Sequence, residues 1–470
     1  MTVVSPVFLA LAFLSVAAVH LLRDRVPRDL ILLAASLGFL AIALDPLSLA
    51  GLAAFVLAGF ALLRVVGRWH RSGVLAACVT AAILLFWLLG ENDVALGLPR
   101  PEPLVLLGLS YLMFRVLHLL VDVGQGELTA PIGPRAYLGY LLFFPNFLAG
   151  PIQRYEDLAP QLAQPAPTPT ADTVRGGLAR MLGGGFSTVV LAGLAFEVFL
   201  LARQGIVDGD VAGGLALGVA TLAFSAYLYA SFTGYMGVVI GLGRLLGIAI
   251  PENFDRPWLA RNFLEFWARW HITLSEWFKF YLFNPATKEL LRVVDRPAVA
   301  PWLGAIGYFL TFFVMGVWHG TSAGFAVYGL LLGAGVSLNK AWQVLMIQRL
   351  GRRGYTALSG RRWYAVVART AALSWFALAL VLVWSDLQPL AATIAGLGAG
   401  GTGIGVGLVV AVVAFGAAVG PVVAGLSEGW ARLPHSAAAE WLVAVAQTGA
   451  IAYYLLAWQG IVPELIYQRF

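Results

Sequence analysis

The chain has one cysteine, Cys78, in 470 residues. No disulfide framework or cysteine-based zinc site can form within it, and a lone thiol in an apolar run reads as packing rather than as a nucleophile. Charge is scarce as well: Asp, Glu, Lys and Arg make up 11% of the residues, against about a quarter in a soluble globular domain. Between Ala298 and Asn339 there is none. No serine or cysteine motif offers a convincing nucleophile, and no carboxylate pair suits glycosidic chemistry. "GLGRLLG" (241–247) departs from dinucleotide-loop spacing and follows no strand. The net charge of +6 reads as membrane topology rather than as a nucleic-acid footprint.

What fills the chain instead is apolar: 60% of residues are hydrophobic and the mean hydropathy is +0.84. Apolar runs fall near 5–22, 29–45, 47–66, 73–90, 103–121, 177–202, 211–230, 299–318, 322–345, 364–385, 403–425 and 438–459. Each approaches the ~20 residues that cross a hydrocarbon core, where helices alone satisfy their own backbone. The expectation is an all-α, polytopic membrane protein, a single membrane domain over 1–470 with about 11–13 transmembrane helices.

Basic residues follow the first run (Arg23, Arg25, Arg28) and do not precede it, the reverse of a secretory signal peptide. The run reads as a retained span with the N-terminus outside. "RVVGRWHR" (64–71) and the six arginines of "QRLGRRGYTALSGRRWYAVVAR" (348–369) are then cytoplasmic loops, while "DPLS" (45–48) and the mostly acidic "GENDVALGLPRPE" (90–102) face outward. "PQLAQPAPTPTADTV" (160–174) reads as a polar, extended loop, and "GLGAGGTGIGVG" (396–407) as a turn or a close helix approach.

Two stretches are neither clean spans nor loops. "YLGYLLFFPNFLAGPIQRYEDL" (137–158) is interrupted by Pro145, Gly150 and Pro151, and "NFDRPWLARNFLEFWARWHITLSEWFKFYLF" (253–283) mixes aromatics with charge. In the second, Trp267, Trp270 and Trp277 recur at roughly helical spacing, and Glu265 and Arg269 stand four apart, where they can pair. Both stretches suggest interfacial or re-entrant helices around a cavity.

Of six histidines, His20, His70 and His435 lie near span ends, where an interfacial ring needs no function. His118, with Arg115 and Asp122 nearby, suggests a structural hydrogen bond. His319, in "MGVWHGTSAGF" (315–325), is different. The uncharged 298–339 stretch is about two crossings long, which puts Trp318-His319-Gly320 at the hinge of two antiparallel helices. Gly316 and Gly320 leave room there for a substrate or another backbone. A buried imidazole stays neutral and can accept a proton from a hydroxyl; a core histidine bonded to a backbone carbonyl is the alternative. His271, four residues before Ser275, supplies a second imidazole. Two neutral rings on one cavity make a minimal acyl-transfer site, one activating a hydroxyl and the other steadying developing charge.

"LGLSYLMFRVLHLLVDV" (107–123), "LLFFPNFLAGPIQRY" (141–155), "IPENFDRPW" (250–258), "EFWARWHITLSEWF" (265–278) and "MGVWHGTSAGFAVYGLLLGAGVSLNKAW" (315–342) occur in the order of blocks of the membrane-bound O-acyltransferase family. The chain resembles that family from about 105 to 345. The resemblance implies an acyltransferase core there, a central tunnel or funnel, His319 as the catalytic histidine and His271 as its companion. By the same resemblance Trp318, Gly320, Trp270, Arg269, Asn253 and Ser275 line the substrate tunnel. No bound cofactor or metal is implied; the co-substrate is a thioester, either acyl-coenzyme A or a phosphopantetheinyl carrier protein. The acceptor is a hydroxyl-bearing glycan or lipid, reached directly or through a partner protein, and the site is the bacterial inner membrane.

Two bacterial branches compete, one acetylating exported polysaccharides such as alginate and one passing D-alanine from a carrier protein towards teichoic acid. The chain departs from both: "SFTGY" (231–235) has Ser231 where an acid is usual, and "KFY" (279–281) has Phe280 where another is. A transporter or flippase is the rival of another class, although no internal repeat is visible. Within acyl transfer, a histidine acting as covalent nucleophile is also open.

Overall fold

A computed structural model describes residues 3–89, 108–206, 211–294, 296, 298–320, 322–431 and 437–462. The acidic loop at 90–102, the start of the 103–121 run and His435 lie outside the described residues.

Among the described residues each apolar run coincides with helix. In chain order the helices are α1 (Pro6–Leu21), α2 (Arg28–Ala43), α3 (Pro46–Trp69), α4 (Ser72–Leu89), α5 (Leu109–Gln125), α6 (Pro134–Leu141), α7 (Tyr155–Ala163), α8 (Ala171–Phe186) and α9 (Ala192–Gln204). They continue with α10 (Val211–Leu245), α11 (Phe263–Trp267), α12 (Ile272–Phe278), α13 (Asn284–Val293), α14 (Ala300–Trp318), α15 (Ala323–Ser359), α16 (Arg362–Ala379), α17 (Val381–Trp384), α18 (Leu387–Ala431) and α19 (Ala437–Ala452). Among the described residues nine helices are long and apolar enough to cross a membrane, α8 with α9 and α16 with α17 each counting as one. Helices α1, α2 and α5, of 16, 16 and 17 residues, cover the other three runs. The fold is all-α and polytopic.

Local chemistry sets the helix ends. Pro46 opens α3 behind Asp45, whose carboxylate accepts the amides of Leu47 and Ser48 at 2.9 and 3.0 Å. Some sequence expectations shift. The proline-rich loop is shorter than 160–174, because Pro160 sits on the exposed face of α7 while Leu158 and Leu162 bury the other face. The arginine-rich 348–369 stretch is mostly helix, turning at Gly360 between α15 and α16, and Arg369 lies buried within α16. Trp267, Trp270 and Trp277 do not share a helix, since the chain leaves helical geometry at 268–271.

The chain forms two compact units. The first is built mainly from Met1–Gly185 and Gly234–Glu252, the second from Phe186–Thr233 and Asn253–Pro463. In the first, the broken stretch after α6 is held by the buried Arg115, which donates to the carbonyls of Leu141 (2.8 Å) and Asn146 (2.8 Å) and to the Asn146 amide oxygen (2.6 Å). A guanidinium thus supplies donors to backbone that no helix ladder satisfies.

In the second unit α14 and α15 form an antiparallel hairpin packed through glycine. A Cβ on Gly316 would collide with the Gly329 Cα, and one on Gly333 would lie 2.8 Å from the Phe309 carbonyl. Gly316 therefore admits another backbone. Gly316→Ala is expected to destabilise the protein by about 1–3 kcal/mol by overpacking. Gly403→Ala, at a helical site with nothing within 4 Å, is expected to stabilise by up to about 1 kcal/mol. Thermal unfolding in detergent compares the two. The glycine-rich 396–407 stretch does both things expected of it: α18 breaks at Gly398 (φ 62°), and Gly214 meets the Gly401 carbonyl in close backbone contact.

Arg369 joins three parts of this unit. It donates to the carbonyls of Leu259 (3.0 Å), Ala260 (3.1 Å) and Ala417 (2.6 Å). The first two lie at the end of the 3-10 turn Pro257–Leu259 and on the residue after it. The third is accessible because Pro421, four residues on in α18, has no N–H to give it.

Candidate active site

His319 caps the C-terminus of α14, immediately after the span that ends at Trp318. Its own N–H bonds the Gly316 carbonyl, tightening the last turn, so the Met315 carbonyl is not taken by the regular i→i−4 bond. The imidazole takes that place: Nδ1 lies 2.6 Å from Met315 O. A carbonyl only accepts, so in the neutral ring Nδ1 carries the proton and Nε2 the lone pair. Trp318 and Tyr328 pack edge-on to the ring, at 4.7 and 5.7 Å between centroids. The residue is buried, and the carbonyl-bonded reading and the proton-acceptor reading are therefore compatible.

His271 stands at the start of α12 in left-handed backbone (φ 46°, ψ 54°). A short antiparallel bracket holds it there. Phe254 bridges Trp270, Asp255 N–H donates to Arg269 O at 3.0 Å, and Ile272 N–H donates to Asn253 O at 3.0 Å. The ring is buried against Phe232, 4.8 Å away and edge-on. The two imidazoles stand close enough that a charge on His319 disfavours a charge on His271. Burial is the larger cause pushing the His271 pKa down, and burial also lowers that of His319 against its Met315 bond. Both rings are neutral at pH 7.

The other expected tunnel residues divide by position. Trp270 is buried, stacked on Phe266 at 5.7 Å and 15°, with Phe254 and Phe376 edge-on. Asn253 is fully buried and bonded to the His271 turn. Arg269 pairs with Glu265 and Asp255, as the i,i+4 spacing suggested for the first. Ser275 donates to Trp270 O at 3.3 Å and braces the turn. Gly320 makes room for the Phe325 ring, with which a Cβ would collide. Thr321 lies outside the described residues.

Ser231 is buried on α10 and bonds within the helix, to Leu228 O at 3.2 Å, whereas Phe280 is exposed in the π-helical turn Lys279–Phe283. The sequence reading missed Phe232 and Thr273. The one signal for Thr273 was its place two residues after His271.

In the first unit His118 is structural. Its Nε2 accepts the Tyr155 N–H (3.0 Å) and its Nδ1 faces Asp122 (3.3 Å). His118, Asp122 and Glu156 bring ligand atoms within 4.8 Å of one another, but both ring nitrogens are engaged and Arg154 bridges the two acids. That is an ion-pair network around a helix start.

Over 269 residues the chain is 31% identical to teichoic acid D-alanyltransferase of Bacillus subtilis (strain 168), covering 55% of this chain and 65% of that protein. It is also 31% identical over 251 residues to a probable alginate O-acetylase of Pseudomonas fluorescens, covering 51% of this chain and 47% of the relative. The chain thus spans about half to two thirds of the length of these relatives. The model of the membrane-bound O-acyltransferase family matches residues 127–380, more than half of the chain and a stretch containing both His271 and His319. With nine apolar helices of spanning length among the described residues, this is a multi-pass membrane protein. The chain belongs to the membrane-bound O-acyltransferase family.

Proposed function

We propose that this protein moves an acyl group from a thioester to a hydroxyl of a cell-envelope polysaccharide or related acceptor. The observation that carries the reading is the buried, neutral His319, whose Nδ1–H is committed to Met315 O and whose Nε2 therefore carries the lone pair. Nε2 takes the acceptor's hydroxyl proton as its oxygen forms the C–O bond to the thioester carbonyl. The C–S bond then breaks, and the departing thiolate recovers the proton from His319. His271 supports the carbonyl oxygen as it gains charge.

Acyl-coenzyme A or a phosphopantetheinyl carrier protein delivers the thioester from the cytoplasm, and the acceptor enters a tunnel from the opposite side or from within the bilayer. The protein sits in the bacterial inner membrane with its N-terminus outside and the arginine-rich α15–α16 turn in the cytoplasm. The Bacillus subtilis relative favours a second reading of the cargo, D-alanine from a carrier protein. The test is the purified protein in lipid, given acyl-coenzyme A and carrier-bound thioesters together with glycan acceptors. Thiol release with acceptor acylation is expected; movement of glycan without covalent change would make the protein a transporter.

The low pKa values of both rings set the pH dependence. The base must be neutral, and a lowered pKa keeps it so through neutral pH, so activity is lost only as pH falls through that lowered value. The acid limb of kcat/KM is expected well below the ordinary histidine value of about 6.5. A limb centred near 6.5 would contradict the buried base.

A further inference from the structure

Asn253 has no place in the reaction just described, yet it is fully buried beside it and engaged on every side. Its carbonyl accepts Ile272 N–H, and its amide oxygen accepts both the Thr273 N–H (2.9 Å) and the Thr273 hydroxyl (3.0 Å). Those donors fix which way the amide points, because an NH₂ group cannot accept from a backbone N–H. The amide nitrogen is left facing Nδ1 of His271 at 3.5 Å. An amide nitrogen only donates, so in this contact Nδ1 of His271 accepts, which assigns the proton to Nε2 in competition with the His271 carbonyl, whose own bond to the ring raises the ring's pKa. His319 has no such amide beside it in this contact: its Nδ1 faces the Met315 carbonyl at 2.6 Å.

We infer that Asn253 is a positioning residue that holds His271 as the Nε2–H tautomer, so that of the two imidazoles only His319 can act as base and His271 serves as a hydrogen-bond donor to the thioester oxygen. The two rings are chemically inequivalent because their Nδ1 partners differ. Threonine 273 is part of the device, since its two bonds to Asn253 Oδ1 prevent the amide from flipping. The inference rests on the proposed acyl transfer for its consequence, but not for its structural content.

The test therefore has a readout that needs no turnover. Nitrogen-15 NMR of histidine-labelled protein in detergent or lipid, with His271 assigned by loss of its signal in His271→Gln, reports which ring nitrogen bears hydrogen. Hydrogen on Nε2 supports the inference; hydrogen on Nδ1 overturns it, whether or not any thioester proves to be a substrate. Asn253→Asp then separates positioning from mere bracing. An aspartate keeps an acceptor for Thr273 and presents a second acceptor to His271 Nδ1, drawing the proton there. The expected result is a His271 signal moved to the Nδ1–H form and kcat lowered at least 100-fold, with KM for the thioester changed far less. Wild-type kcat together with an unmoved tautomer in a folded Asn253→Asp protein would reduce Asn253 to a brace. If that variant fails to fold, the wild-type spectrum still decides.

Discussion

Replacing His319 by alanine is expected to slow acyl transfer by about 10³-fold, the middle of the range for loss of a positioned general base. That corresponds to about 4 kcal/mol of lost transition-state stabilisation. Alanine removes the Nε2 lone pair, and in the tautomer inferred above His271 presents a proton at Nε2 and does not replace it. His319→Gln fills most of the vacated volume and can still donate to Met315 O, but it has no basic nitrogen. Both variants should therefore be inactive, and glutamine the better folded of the two. Thiol release and acceptor acylation, measured on protein whose thermal unfolding is recorded alongside, provide the check. A folded glutamine variant with wild-type turnover would remove His319 from the chemistry.

The largest expected effect on stability lies away from the histidines. Arg369→Met should lower the stability by about 3–5 kcal/mol, the scale seen when a buried charged donor is removed from partners that have no other source of hydrogen bonds. The carbonyls of Leu259, Ala260 and Ala417 lose their donor together. One of them can be repaired. In Arg369→Met/Pro421→Ala the new amide at 421 reaches Ala417 O through the ordinary helix ladder, so the double variant should be less damaged than the sum of the two single changes. A coupling of about 0.5–3 kcal/mol is the expected size for groups that share one acceptor. Strict additivity in a double-mutant cycle would mean that Arg369 acts through Leu259 and Ala260 alone.

Much of the architecture was legible in the sequence because it is local. A run of apolar residues specifies its own helix, proline breaks it, and an uncharged stretch of two crossings places a hinge at His319. The Glu265–Arg269 pair followed from spacing on one chain segment. What could not be read depends on residues far apart in the chain. Asn253 and His271 are 18 positions apart and meet only because an isolated bridge folds one stretch back on another. Arg369 counted as one more cytoplasmic arginine until α18 brought a proline-freed carbonyl to it from 48 positions away. Gly320 offered space on paper, and Phe325 occupies it. The helical spacing of the three tryptophans was a coincidence of composition, cut by the left-handed turn at 271.

That turn sets two selective pressures against each other. Histidine at φ 46° occupies backbone that glycine or asparagine accepts more readily, and a bulkier residue held there gives up about 1–3 kcal/mol. A lineage screened only for survival at high temperature would be drawn away from histidine at this position, whereas one screened for turnover would be held to it. On the role proposed for His271, position 271 sets tolerance to heat against catalytic rate.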